Sequence, residues 1–168
     1  MSDSMSNPEV RLHIGAVPPE DREAAVAALL SPFPPAEQEE RLRSTLAAGE
    51  RGVLSLAGLR EARWNGRRVG VSLTMSQPDR VTLVWPPVVR PDEILSTDLV
   101  YQALLDDVCQ QLDANSTHLG QVLLDAADEV TANRFRQCGF TWRTELFFLA
   151  RTLVDEVPSV PSAPLTAV

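Results

Sequence analysis

The dipeptide Asn65-Gly66 lies where the apolar period of the chain changes from helical to alternating, and no other feature constrains the fold as strongly. Asn-Gly supplies the positive-φ pair of a tight hairpin turn. The strand-like stretch Gly52 to Arg63 and the alternating Val69, Val71, Leu73 and Met75 must therefore fold back on one another. A second turn at Gln77-Pro78-Asp79 leads into a third strand, Val81-Thr-Leu-Val-Trp85, which runs into Pro86-Pro87. An antiparallel meander of three strands occupies the middle of the chain.

Upstream of it, Val10-Arg-Leu-His-Ile14 alternates as a half-buried strand does, and Gly15 to Pro19 breaks the pattern. Glu20-Asp21 opens a helix through Leu30. Pro35 to Ala48 forms a second helix, with Leu42 and Leu46 one turn apart and Gly49 just past its end. Downstream, Ser96, Thr97 or Asp98 caps a helix whose Leu99, Ala103, Leu104, Val108 and Leu112 make one apolar face, ending near Asn115. The apolar run Leu119 to Leu124 suits a buried strand, and reaching it through a helix favours parallel pairing with the strand before. Asp125 or Asp128 caps a last helix to about Cys138, Gly139 ends it, and Phe140 to Leu153 returns to strand composition. The expected order is β-α-α-β-β-β-α-β-α-β, an α+β (α/β) fold on a mixed sheet.

At 168 residues the chain is one domain by size. It reads as a short polar tail over 1–8, a domain over 9–153 and a tail over 154–168 punctuated by Pro158, Pro161 and Pro164. Every basic residue is an arginine and the net charge is −8, which argues against nucleic acid as a partner, since phosphate binding needs dense positive charge. The longest apolar stretch, Ala24 to Leu30, is far shorter than the ~20 residues that cross a bilayer, and the N-terminus lacks the basic-then-apolar signal pattern. A cytoplasmic protein without a membrane partner is expected. Cys109 and Cys138 form no close pair in sequence, and His13 and His118 lie in no ligand spacing, so neither a disulfide framework nor a metal site is expected.

Ala132-Asn-Arg-Phe-Arg-Gln-Cys-Gly-Phe140, together with the element order, resembles the GNAT acyltransferase superfamily, whose last helix ends in aromatic-x-x-x-Gly-Phe and leads into the final strands. Phe135, Gly139 and Phe140 carry the match. The resemblance spans about Val10 to Leu153 and implies a central mixed sheet with helices on both faces, acetyl-CoA as acyl donor and an amine as acceptor, whether a small molecule or a peptide. It implies that the backbone of Leu83, Val84 and Trp85 holds pantetheine and the thioester carbonyl. The segment Val88, Val89, Arg90, Pro91, Asp92, Glu93, Ile94 and Leu95, with Thr97, meets the pyrophosphate, and Asp128 and Phe135 also face the cofactor. Glu61 is the candidate general base. A homodimer is common among similar proteins, although no repeat here specifies one.

Two departures stand out. The family loop has the form Pro-x-x-Arg-x-x-Gly-x-Gly. Here Pro87, Arg90 and Ile94 keep the pattern, while Glu93 and Leu95 stand in place of the glycines whose amides converge on the pyrophosphate. Phe135 stands where many members carry the tyrosine that protonates the departing thiolate. A catalytically inactive GNAT-fold binding module that no longer uses CoA is therefore the alternative reading. Among other candidates, His118 reads as a turn histidine, Asp125 as a helix cap, Cys138 as core, and Arg60, Arg63, Arg67 and Arg68 as an arginine-decorated hairpin; Trp85 is placed at the acyl pocket.

Overall fold

The structure, a computed structural model, describes residues 12–91 and 95–144. Among the described residues, five strands form one sheet in the order β1-β2-β3-β4-β5: β1 (Leu12–Ala16), β2 (Gly58–Trp64), β3 (Arg67–Gln77), β4 (Val81–Val89) and β5 (Leu119–Val122). The first four pair antiparallel and β5 joins β4 in parallel, as a strand reached through a helix should. Four α-helices among the described residues accompany them: α1 (Arg22–Leu29), α2 (Pro35–Glu50), α3 (Thr97–Ala114) and α4 (Glu129–Gln137).

The helices cover both faces of the sheet. On one face, Ala25, Val26, Ala28 and Leu29 of α1 pack against Leu59, Val71, Leu73 and Met75, with Leu42 and Leu46 of α2 along the margin. α2 buries no residue fully; its solvent side is tied by Glu37–Arg41 and Glu39–Arg43 pairs one turn apart, at 2.8 and 2.9 Å. On the other face, Val100 and Leu104 of α3 meet Ala62 and Val69, while Tyr101, Leu105 and Val108 meet Val84 and Phe135 of α4. At Gly70 a Cβ would stand 2.9 Å from Leu104 and 3.3 Å from the Val88 carbonyl, so only glycine lets α3 lie this close to the sheet.

Several boundaries differ from the sequence reading. β1 continues through Gly15 and Ala16, because both pair with β2, opposite Glu61 and Arg60. α2 runs through Gly49, which abuts Leu56, and the left-handed residue after the helix is Gly52 at φ 69°. β2 begins only at Gly58. The buried face of α3 is Val100, Tyr101, Leu104, Leu105 and Val108, and Leu99 is 52% exposed. The turn of the helix that meets the sheet is thus one residue on from the stripe drawn from Leu99. Residues 140–143 lie in no strand among the described residues, and most of the expected last strand lies outside them, as do both expected tails.

Candidate active site

The site begins with two prolines. β4 continues through Pro86 and Pro87 to Val89, where the sequence reading had ended the strand. Proline donates no amide, so a regular ladder cannot pass through the pair. The register shows the result: Val71 faces Val88 and Leu73 faces Trp85, so two steps along β3 span three along β4. An extra residue of this kind bends its strand and increases the local twist. On the other edge, pairing of β4 with β5 ends at Val84 opposite Val122. From Trp85 to Val89 β4 has no neighbour on that side among the described residues, because β5 ends at Val122.

The side chains expected at the cofactor divide between the two faces of β4. Leu83, Trp85 and Val88 pack on the α1–α2 side, while Val84 and Val89 pack beneath α3. Arg90 sends its amide back to the Val69 carbonyl at 2.8 Å, so this donor serves the β3 ladder. Leu95, in a family glycine position, packs against Ala62, Val69, Val100 and Leu104. Asp92, Glu93 and Ile94 lie outside the described residues. Thr97 opens α3, and Asp128 caps α4 by accepting from the Thr131 amide at 3.0 Å. Asp125, also expected as a cap, instead accepts from the Ala127 amide at 2.8 Å in a turn before α4, which leaves the capping to Asp128. Phe135 is fully buried and meets Phe140 edge-on at 5.0 Å.

Glu61 shares a cross-strand row with Val71 and Val88, which brings it level with the part of β4 that extends beyond β5. Its carboxylate, however, is closed in a clamp: Arg63 Nε donates to Oε1 and Arg68 Nε to Oε2, each at 2.6 Å, and Arg63 also reaches Asp21 at 2.5 Å. Burial alone would raise the Glu61 pKa; the hydrogen bonds and charges of Arg63 and Arg68 outweigh it and hold the carboxyl below its ordinary 4.5. With both oxygens engaged and proton affinity reduced, Glu61 is suited to holding two arginines rather than to removing a proton. His118 meets Arg80 at 2.9 Å just before β5, at the end where β4 and β5 begin to pair.

The structure also brings together groups that sequence spacing does not connect. Cys109 and Cys138, both free and partly exposed, are neighbours across α3 and α4, and Gln102 donates to Cys138 Sγ at 3.5 Å. Tyr101 went unnoticed in the sequence. It is the chain's single tyrosine, 5% exposed beside Val84, with the Arg134 guanidinium 4.3 Å above its ring. Its signal was a lone polar-tipped aromatic three residues before Leu104, on the face that packs.

Beyond Val84 few main-chain donors remain on β4 for a ligand, since residues 86, 87 and 91 are proline.

No family model and no curated protein matches the sequence. Solved structures do match by fold. The ribosomal-protein-S18-alanine N-acetyltransferase of Escherichia coli superposes with a TM-score of 0.61 at 16% identity, covering 80% of each chain. A GNAT family acetyltransferase from Brucella melitensis, solved with acetyl-CoA, gives 0.58 at 16% identity over 79% of this chain and 84% of the other. The aminoglycoside N-acetyltransferase AAC(6')-Iy, solved with CoA, gives 0.63 at 13% identity over 86% and 97%. The chain thus carries the fold of the GNAT acetyltransferases on a divergent sequence.

Proposed function

We propose that this protein is an acyl-CoA N-acyltransferase that moves an acetyl group from acetyl-CoA to an amine by direct attack. The observation that carries this reading is the length of β4 left without a neighbour beyond Val84, where β5 ends at Val122, in a fold whose solved neighbours include structures with acetyl-CoA or CoA. In this reading Leu83, Val84 and Trp85 hold the pantetheine arm along β4. Thr97 and the first turn of α3 lie toward the pyrophosphate, and the Arg90 guanidinium adds the positive charge that the missing glycine amides do not. Holding donor and amine in one cleft supplies proximity, and no covalent enzyme intermediate is required.

A second reading, a GNAT-fold binding module without CoA, has its own support. The Arg90 amide is committed to Val69, Leu95 to the core, and Pro91 has no amide to offer. A thermal-shift titration with acetyl-CoA separates the two. Binding to the native state alone stabilises by about 2.7 kcal/mol at a hundredfold excess over Kd. The enzyme reading expects a clear rise in Tm that Arg90→Ala diminishes. A Tm unmoved by millimolar acetyl-CoA overturns it in favour of the module.

A further inference from the structure

We propose that Cys109 of α3 and Cys138 at the end of α4 form a reversible disulfide, made by exchange with a low-molecular-weight disulfide such as oxidised glutathione, and that this bond pins α4 to α3. It forms whether or not the protein takes an acyl-CoA.

Both cysteines are free and partly exposed, so a small oxidant reaches them. Packing brings them together. Gln102, Leu105 and Cys109 are spaced three and four residues apart on α3, which puts them on one stripe of the helix. α4 ends against that stripe: Cys138 packs on the cluster that holds Leu105 and Phe135, and its Sγ accepts from Gln102 Nε2 at 3.5 Å. The Cys138 side chain is also close enough to hydrogen-bond that of Cys109. A disulfide needs sulfurs about 2.05 Å apart and Cβ atoms about 3.5–4.5 Å apart, which neighbouring cysteines reach by turning their side chains. The end of α4 has room to adjust, because Cys138 is its C-cap and Gly139 follows at φ 88° with open space around it.

The two sulfurs have different tasks. The Gln102 amide supports negative charge on Cys138, while burial, with Cys138, Asp106 and Asp113, holds Cys109 as the thiol. Cys138 therefore releases its proton and attacks one sulfur of oxidised glutathione; that S–S bond breaks and the first glutathione leaves as a thiolate. Cys109 then releases its proton, attacks Cys138 Sγ and expels the second. The two protons end on the departing glutathiones, so two protein thiols are oxidised and one small disulfide is reduced. Excess glutathione runs the same steps backwards. α4 has much to gain from the bond: Phe135 is its one buried residue and Arg134 pairs with an exposed Asp98, so this helix opens more readily than the strands beneath it.

With only two cysteines in the chain, the product is read without ambiguity. The reduced protein is incubated with oxidised glutathione and followed by intact mass, peptide mapping and Tm. The expected product is a monomer lighter by two hydrogen atoms, with one linked peptide pair containing Cys109 and Cys138, and dithiothreitol restores both thiols. Its Tm is expected to rise by about 5–10 °C, and its α4 amides to exchange more slowly. Cys109→Ser should instead accumulate one glutathione on Cys138, and its Tm should not rise with oxidant. Glutathione retained on both cysteines of the parent, a link found only between two chains, or thiols unchanged after prolonged exposure overturns the proposal. A disulfide that forms with a fall in Tm overturns it as well, since that bond would belong to an opened chain rather than to the native packing of α4 on α3.

Discussion

Arg60 of β2 grips Asp107 of α3 through two parallel hydrogen bonds, Nε to Oδ2 at 2.9 Å and Nη2 to Oδ1 at 2.7 Å. Asp107 Oδ2 also accepts from Gln111 at 2.7 Å, and Gln111 in turn accepts from Thr74 Oγ1 at 3.0 Å, so one polar chain ties α3 to two strands. Arg60→Ala leaves a partly buried carboxylate without its partner and is expected to cost about 2 kcal/mol. The double replacement Arg60→Leu with Asp107→Leu should lose less than the sum of the single changes. Urea unfolding of the three variants checks this through the coupling energy.

The Glu61 clamp makes stability depend on acid. A carboxyl whose pKa is lower in the folded state than in the unfolded chain contributes stability that is full above the unfolded value, here about 4.5, and is lost as pH falls through the folded value. Denaturant midpoints should therefore decline below about pH 4.5 in the parent. Glu61→Gln should be less stable at pH 7 and show a shallower acid limb; an unchanged limb would remove Glu61 as its source.

At Gly58 a Cβ would lie 2.1 Å from the Thr74 carbonyl oxygen, which is backbone and cannot swing aside. Gly58→Ala is expected to destabilise by about 1–3 kcal/mol through strand displacement. Gly66→Ala meets no neighbour but sits at φ 76° in the hairpin turn, and about 1 kcal/mol is expected there. Thermal unfolding should rank Gly58→Ala as the worse of the two.

Phe135 joins α4 to α3 and to β4, and its ring stands at 86° to that of Phe140. Phe135→Ala is expected to cost about 3–5 kcal/mol, enough to detach α4 in a marginally stable domain. Hydrogen exchange would show the loss as faster exchange of the α4 amides, with β2 and β3 slower to respond.

Burial pushes the Cys109 thiol up, and the neighbouring Cys138, Asp106 and Asp113 push in the same direction. Cys109 is expected to alkylate more slowly than an unstructured cysteine at pH 7, with the gap narrowing as pH rises. Peptide mapping after timed iodoacetamide treatment, native against unfolded, measures it.

Local chemistry settled much of this protein in advance. Asn65-Gly66 made the hairpin, Asp128 the cap of α4, and the helix between two apolar strands a parallel pair, because each of these depends on a few neighbouring residues. The aromatic-x-x-x-Gly-Phe helix end pointed to the fold that the solved structures share. What only the tertiary structure decided depends on residues far apart. Pro86-Pro87 reads locally as a stop, yet the pairing of Val71 with Val88 holds the chain extended beyond it and turns the stop into a bulge. Glu61 reads as a free carboxylate until the bulge between Ala62 and Arg63 and the start of α1 bring Arg68 and Asp21 to it. Tyr101 is one of several apolar positions on a helix until Val84, Phe135 and Arg134 close around it. Spacing along a chain fixes which residues share a face, while the partner each one meets depends on strand register and on how closely the helices approach the sheet.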